Sequence, residues 1–294
     1  MKSKIRLYLL GLKGLVVLSN ILEKFDNSII KEIIIDNDAG VENDYLNDLV
    51  ELCTRENIKF LFRKEDISHD ESLSIAIGWR YIINLTRIPN LIVFHDSLLP
   101  RYRGFNPLVS AIINGDRTIG ATALYASNQY DTGEIIYQYQ VCIDYPIKII
   151  DAINKISEGY VEMIIRIIDQ VMNNQPLPKT KQDEKKATYS LWRDESDYII
   201  DWNQSSEVIV RFINAVGFPY KGAITSLNKT KIVIISAEAI KDVVIENRCP
   251  GKAIFIQDGS PIIVCGQGLL KINEMKMLDS NEPIGFKSIR TRLT

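Results

Sequence analysis

Apolar strand-like runs alternate with helix-like segments as far as residue 95, a polar, proline-punctuated stretch follows near residue 180, and short strands at near-regular spacing fill the remainder. These observations predict an α/β chain: a Rossmann-like N-terminal domain with a parallel sheet over 1–180, a linker at 181–198, and a small C-terminal β-barrel, OB-like, over 199–294. The length agrees, because 294 residues exceed one typical domain. With 46% hydrophobic and 24% charged residues, the composition is that of an ordinary soluble globular protein.

Residues 5–10 are apolar enough for a first buried strand, followed by a Gly-x-Lys-Gly loop at Gly11, Lys13 and Gly14 and a helical stretch over 15–25. Ile33, Ile34 and Ile35 make a second strand, which ends in Asp36, Asn37 and Asp38. Helical spacing of Tyr45, Leu46, Leu49, Val50 and Cys53 predicts a helix within 43–57, and 58–62 reads as a third strand. A fourth apolar segment, 75–83, is interrupted by Gly78, Trp79, Arg80 and Tyr81, and 91–94 is a fifth strand. Alternation of this kind implies parallel strands joined by right-handed crossovers. Further on, 107–114 is helical, 118–125 and 135–141 are extended, and 147–172 carries apolar residues at i, i+3, i+4 spacing, the mark of a helix packed on a sheet. After the polar stretch 173–186 come a helix at 205–215 and strands at 222–226, 231–237, 251–257, 262–265 and 269–277. No repeat or low-complexity tract interrupts the chain.

A net charge of −2 supplies no overall basic field, which argues against a nucleic-acid partner. Cys53, Cys142, Cys249 and Cys265 lie far apart without C-x-x-C spacing, so free thiols in a reducing cytoplasm are expected, with no zinc site and no disulfide framework. The first ten residues have a charged head, but Gly11, Lys13 and Gly14 break the apolar run and no small-residue cleavage site follows. No apolar run reaches membrane-spanning length, and no membrane partner is expected.

His95 stands at the carboxyl end of the fifth strand, before a loop punctuated by Pro100 and Gly104, where open α/β sheets place their chemistry. A lone histidine is more often a hydrogen-bonded core or surface side chain. Its surroundings, and Tyr130, Asp131, Thr132 and Gly133 some thirty residues later, change that weighing. Asp96, next in the chain, reads by default as a solvated loop carboxylate, and His69, in the charged run 63–71, as a surface side chain without a role. Gly11, Lys13 and Gly14 lack the G-x-G-x-x-G spacing of a dinucleotide site. A glycine turn opening a helix still favours an anion, and a tight turn with a solvated lysine accounts for these residues equally well.

His95, Ser97, Leu98, Leu99, Pro100, Tyr102, Arg103 and Gly104, with Gly120, Ala121 and Thr122 and then Asp131, Thr132 and Gly133, resemble the signature of the folate-dependent formyltransferase family. That family includes methionyl-tRNA formyltransferase, glycinamide ribonucleotide formyltransferase and the sugar N-formyltransferases. Ile200, Asp201 and Trp202, with Gly217, Phe218, Pro219, Tyr220, Gly222 and Ala223, extend the resemblance into the second domain, where the tRNA and sugar branches carry a small C-terminal module. The resemblance implies transfer of a formyl group from N10-formyltetrahydrofolate, a co-substrate, to a primary amine without a metal. The amine must attack uncharged, an oxyanion must be stabilised, and a proton must move toward the departing folate nitrogen. His95 and Asp131 are the catalytic residues it implies. Trp79, Tyr81, Ile82 and Ile83 lie in a segment similar to the one whose main chain receives the pterin, with Tyr130 and Asp131 closing the loop, although a core strand explains Ile82 and Ile83 nearly as well. Gly11, Lys13, Gly14, Ser97, Arg101, Tyr102, Arg103 and Asn106 are candidates for holding a phosphate or sugar, and Arg103 could equally clamp its own loop.

The family completes its triad with an Asn two residues before the His, and here that position is Val93. Three readings stay open: Asn106, Asn128 or Ser97 supplies the missing donor from a loop; His95, Asp131 and backbone amides suffice; or catalysis is lost, leaving a folate- or nucleotide-binding protein. The otherwise intact motif favours an active enzyme. For the acceptor, basic and acidic residues nearly cancel from Ser190 onward, and the long basic insertion expected of the tRNA branch is missing from the first domain. A nucleotide-linked amino sugar is therefore expected, which the resemblance to the sugar branch implies is destined for a bacterial surface glycan, with methionyl-tRNA as the alternative and a homodimer implied by the family.

Overall fold

The computed structural model describes residues 4–65, 72–286 and 288–294, so His69 lies outside the described residues. The chain divides into two compact units: one takes the chain to Leu108, Thr118–Ile143 and Ala152–Leu191, the other Val109–Arg117, Asp144–Asp151 and Trp192–Thr294. No helix among the described residues is long and apolar enough to cross a membrane.

In the first unit, β1 (Ile5–Leu9) leads into α1 (Gly11–Lys24), β2 (Ile30–Ile35), α2 (Leu46–Arg55), β3 (Phe60–Phe62), β4 (Ser74–Ile77) and β5 (Leu91–His95). A two-residue strand, β6 (Arg103–Gly104), is followed by β7 (Thr118–Tyr125), β8 (Ile135–Cys142), α4 (Ile149–Met172), which is in this unit from Ala152 on, and the short β9 (Tyr189–Ser190); α3 (Pro107–Asn114), between β6 and β7, falls in the second unit from Val109 on. The seven-stranded sheet runs β3-β2-β1-β4-β5-β7-β8. Its first five strands are parallel, as the β/α alternation predicts, whereas β7 pairs antiparallel with β5 and β8 antiparallel with β7. The register of His95 opposite Thr122 shows why: after β5 the chain stays at the carboxyl end of the sheet and enters β7 from there, with no crossover back to the other end.

The parallel strands are buried on both faces, which is why β1 and β2 read as almost continuous apolar runs. Arg6 and Glu32, paired in register on β1 and β2, interrupt them with a buried ion pair at 2.7 Å that Lys59 completes at 2.7 Å from Glu32. Burial raises the Glu32 carboxyl, and the Lys59 and Arg6 charges and hydrogen bonds outweigh it, holding it below the usual carboxylate value. On the same face, Tyr8, Ile34, Ala76, Ile88 and Leu91 form a cluster against which Trp79, Ile83, Leu85 and Val93 pack. The opposite face carries α1 through Val17, Leu18 and Ile21, and α4, whose Tyr160 packs on Phe94 with ring centroids 5.0 Å apart.

Three expectations change here. The Gly-x-Lys-Gly stretch is the first turn of α1 and no loop: the helix begins at Gly11, and a Cβ on Gly14 would lie only 3.1 Å from that of Leu9, so glycine lets α1 sit close on β1. The apolar segment 75–83 is a strand only to Ile77, because Gly78 turns the chain at φ +64°, where a Cβ would meet the Leu10 carbonyl oxygen at 2.6 Å. The polar stretch read as a linker is bonded to the first unit in its first half. Thr180 pairs with Ile135, Gln182 donates to the carbonyls of Asp131 and Gly133 at 2.8 Å each, and β9 pairs with β6. Its polar side chains serve backbone groups of the loops they cross, so polarity there does not mean a free tether.

The second unit holds α5 (Ser206–Val216), capped by the Ser205 hydroxyl, and β10 (Ala223–Leu227), β11 (Thr230–Ile240), β12 (Ala253–Gln257), β13 (Ser260–Val264) and β14 (Leu269–Met277). These form one antiparallel sheet, β10-β11-β14-β13-β12. The last four residues connect its two edges: Ser226 and Thr294 exchange hydrogen bonds of 2.7 and 3.1 Å beside β10, while Leu293 donates to Gly251 at 2.8 Å and Ala253 to Thr291 at 3.0 Å beside β12. Edge strands left open would expose unpaired backbone groups, and this strap covers part of both. All four cysteines are free, and burial pushes the Cys53 thiol up to about 11 and that of Cys265 to about 12.

Candidate active site

The strand order reverses direction between β1 and β4, and in open α/β sheets the crevice for ligands lies at the carboxyl ends on either side of such a point. Leu10–Gly11 and Gly78–Trp79 leave the sheet there, and β5 ends beside them at His95.

His95 is held from two loops. Its Nε2 lies 2.8 Å from the Tyr102 carbonyl oxygen, and its Nδ1 faces Asp131 Oδ1 at 3.5 Å. A carbonyl only accepts, so Nε2 carries a proton and donates, and in the neutral ring Nδ1 is left with a lone pair toward Asp131. The Tyr102 carbonyl reaches this position because Tyr102 adopts φ +59° and its N–H is held by the Thr188 hydroxyl at 2.9 Å. Asp131, also at positive φ, has its second oxygen fixed by the Gly104 amide at 2.8 Å. Gly104 sits at φ +102°, and a Cβ there would come 2.5 Å from the Ser190 carbonyl oxygen. The short β6–β9 pairing thus places the amide that aims the carboxylate.

Val93, two residues before His95 on the same side of β5, packs, as Trp79, Ile83 and Leu85 do, against the cluster of Tyr8, Ile34, Ala76, Ile88 and Leu91 and brings no donor to the ring. Of the candidate substitutes, Ser97 is buried and donates to the Arg101 carbonyl at 2.6 Å, so its hydroxyl is committed to the loop. Asn128 is exposed, and Asn106 lies half-buried at φ +48° immediately before α3.

The remaining candidates divide by what already engages them. Arg103 is 1% exposed, and its guanidinium donates to Gln182 at 2.7 and 3.1 Å and to both Glu184 oxygens at 2.7 and 2.8 Å. It clamps the His95 loop to the 182–184 segment, and four hydrogen bonds of its guanidinium are made within the protein. Lys13 is bonded to Asp96 and therefore does not stand as an open cation, and Gly11 and Gly14 form the helix turn around it. Arg101 is exposed, with its guanidinium 4.9 Å from the Tyr102 ring. Trp79 stands edge-on to Tyr8 and Tyr81 at 5.3 and 5.5 Å, and its buried Nε1 has no hydrogen-bond partner. Tyr81 donates to the Asn37 carbonyl at 2.8 Å beneath the Arg63 guanidinium, and burial raises its hydroxyl. Ile83 packs inward while Ile82 is fully exposed, which excludes a core strand for this pair. Tyr130 is 68% exposed, 6.3 Å from the ring of Phe105, so two aromatic faces flank the Asp131 loop.

Asp96 is no solvated loop carboxylate. Its Oδ2 is bonded to the Lys13 ammonium, and its Oδ1 accepts from the hydroxyl of fully buried Tyr160 at 2.5 Å. Burial raises the Asp96 carboxyl, and Lys13 and Tyr160 outweigh it, keeping it below the usual aspartate value, while burial and the same carboxylate push the Tyr160 hydroxyl well up. Tyr160, Gln182, Glu184 and Phe105 are the participants that local pattern does not reveal, since their partners lie 49 to 81 residues away or, for Phe105, 25 residues on in another loop.

Comparison with known proteins places the chain in a family. Residues 75–168 match the family model described as formyl transferase, and 193–284 match the formyl transferase C-terminal domain. A methionyl-tRNA formyltransferase of Halothermothrix orenii is 30% identical over 225 residues, 74% of this chain and 71% of that protein. Among solved structures, the sugar 3N-formyl transferase WlaRD, crystallised in the presence of dTDP and 5-N-formyl-THF, matches with a TM-score of 0.71 at 21% identity over 92% of this chain and 97% of that one. An N-formyltransferase of Helicobacter canadensis, in complex with folinic acid and dTDP-3-aminofucose, matches with a TM-score of 0.69 at 21% identity over 92% and 98%. At these identities the structural matches speak to the fold.

Proposed function

The chain belongs to the formyl transferase family, and we propose that it moves a formyl group from N10-formyltetrahydrofolate to the primary amine of a nucleotide-linked amino sugar. The observation that carries this reading is the meeting of His95 and Asp131 at the carboxyl end of β5. A folate fits the neighbouring wall: Val93, Ile83 and Leu85 offer an apolar surface for a flat heterocycle, and the unpartnered Trp79 Nε1 offers a donor to its edge. Tyr130 and the main chain of Ile82 and Ile83 would complete that pocket. When bound, the folate supplies the activated formyl carbon.

The chain's own residues then have defined work. Tyr102 fixes the imidazole through Nε2 and leaves Nδ1 to receive the proton that the attacking amine loses. Asp131, 3.5 Å away, stabilises the ring once it is charged, and the gap, longer than a hydrogen bond, leaves Nδ1–H able to turn to a developing oxyanion or to the departing nitrogen. With Val93 beside the ring, this charged imidazole carries the share of oxyanion stabilisation that a side-chain amide would otherwise take. For the acceptor, exposed Arg101 supplies charge for a diphosphate, and Phe105 and Tyr130 supply stacking surface.

Release of tetrahydrofolate, followed during incubation with N10-formyltetrahydrofolate and dTDP- or UDP-linked amino sugars, tests the proposal. Turnover that disappears in His95→Ala supports it. The 30% identity to a methionyl-tRNA formyltransferase supports a second reading, and turnover with initiator methionyl-tRNA but with none of the sugars would establish that one instead. Folate binding without turnover on any amine would leave a binding protein.

A further inference from the structure

The mechanism above makes no use of a partly buried charged cluster near the site, Lys13, Asp96 and Tyr160. Resting on the formyl-transfer reading, we propose that Asp96 is a positioning residue for His95: clamped between α1 and α4, it fixes the peptide that carries the imidazole and sets a negative charge on the side of the strand end opposite Asp131.

Three observations support this. Asp96 directly follows His95 at the end of β5, and neighbouring residues of an extended chain project to opposite faces, so the two carboxylates approach the ring's backbone and the ring itself from different sides. Each Asp96 oxygen has its own partner on a different helix: Lys13 in the first turn of α1, and Tyr160 midway along α4, with the Lys13 ammonium also 5.5 Å from the Tyr160 ring. One carboxylate therefore ties β5, α1 and α4 together at the end of the sheet where the catalytic pair lies. The third is cost. Withdrawing a carboxylate and an ammonium from water costs several kcal/mol, and well-packed apolar side chains would hold the same three elements together without that penalty. A charged tie in this position points to a task for the charge. Val93 supplies that task, because with no amide next to it the imidazole, once it has taken the amine proton, carries the oxyanion stabilisation, and the Asp96 carboxylate interacts electrostatically with it from behind.

The groups facing Asp96 are Lys13, Tyr160 and His95; those facing His95 are Asp131 and the Tyr102 carbonyl. The test separates a role for the charge from a role in packing. Asp96→Asn leaves the partly buried Lys13 ammonium without its carboxylate, whereas Asp96→Asn combined with Lys13→Gln removes both charges and keeps polar side chains at both places. We expect Asp96→Asn to lower kcat about 10- to 100-fold, with the KM values for folate and acceptor within about twofold, and to lower the melting temperature. The double variant should recover the melting temperature while kcat stays at least about tenfold down. The His95 ring resonances, followed by NMR in the free protein at fixed pH and assigned by their loss in His95→Gln, should be displaced in Asp96→Asn and stay displaced in the double variant. This readout needs no turnover, so it judges Asp96 even if the formyl-transfer reading fails, and loss of turnover on every amine with displaced His95 resonances would condemn only that reading. Recovery of kcat, melting temperature and the His95 resonances together in the double variant would overturn the proposal and leave Asp96 as a tie alone.

Discussion

Replacing Val93 by Asn tests how this site manages beside an apolar strand residue. Val93 is partly buried against the Tyr8, Ile34, Ala76, Ile88 and Leu91 cluster, so about half of the ~2 kcal/mol gained by burying a valine is at stake, and desolvating an amide there costs about 1 kcal/mol more. Val93→Asn should therefore cost about 2 kcal/mol, equivalent to a fall of about 4–8 °C in melting temperature for a unit of this size. Against that cost, an amide two residues before His95 stands on the ring's side of the strand, where one oxyanion donor is worth about 10²–10³ in rate. A donor introduced without its own supporting contacts recovers part of this, and kcat should rise about tenfold or more. The assay is tetrahydrofolate release at saturating folate and acceptor, read beside thermal unfolding of the same preparation. A folded Val93→Asn enzyme with kcat at or below the parent's would refute the argument, because it would mean that the oxyanion is already fully served from elsewhere.

Other perturbations follow from the same geometry. Gly104→Ala pushes a Cβ into the Ser190 carbonyl oxygen, so β6 and β9 should separate, Asp131 should lose its amide, and kcat should fall at least about tenfold, with a loss of about 2 kcal/mol in urea unfolding. Glu32→Gln removes the carboxylate that Arg6 and Lys59 share in the sheet interior and should destabilise the protein by about 1.5–3 kcal/mol by the same measurement. Asp96 and Glu32 both sit below their usual values of 3.8 and 4.5, so their contribution is fully present above those values and is lost as pH falls through the lower folded ones. Melting temperature should accordingly drop steeply below about pH 4.5, and less steeply in the Asp96→Asn, Lys13→Gln double variant. Arg103→Met should loosen the 182–184 segment from the His95 loop and lower kcat, with the acceptor KM rising little, since Arg103 is consumed within the protein; a large rise in KM alone would restore it as a phosphate ligand.

The amino-acid sequence alone determined the strands and helices whose burial is periodic: β1, β2, β5, β7 and α4 follow from apolar runs or i, i+3, i+4 stripes, because the side of an element that meets the core is written in its own residues. It also singled out His95 and Asp131, since the motif around each is local. The antiparallel turn of the sheet after β5, the bonded course of 179–191 and the partners of Arg103, Lys13 and Asp96 were decided only by tertiary structure. Arg103 and Lys13 looked like ligands for an anion because a cation's sequence neighbours do not reveal whether a carboxylate from another element has already neutralised it. Glu184 and Asp96 do so here, 81 and 83 residues away, and the hydrogen bonds that settle such a charge form only when the chain has brought those distant groups within 3 Å.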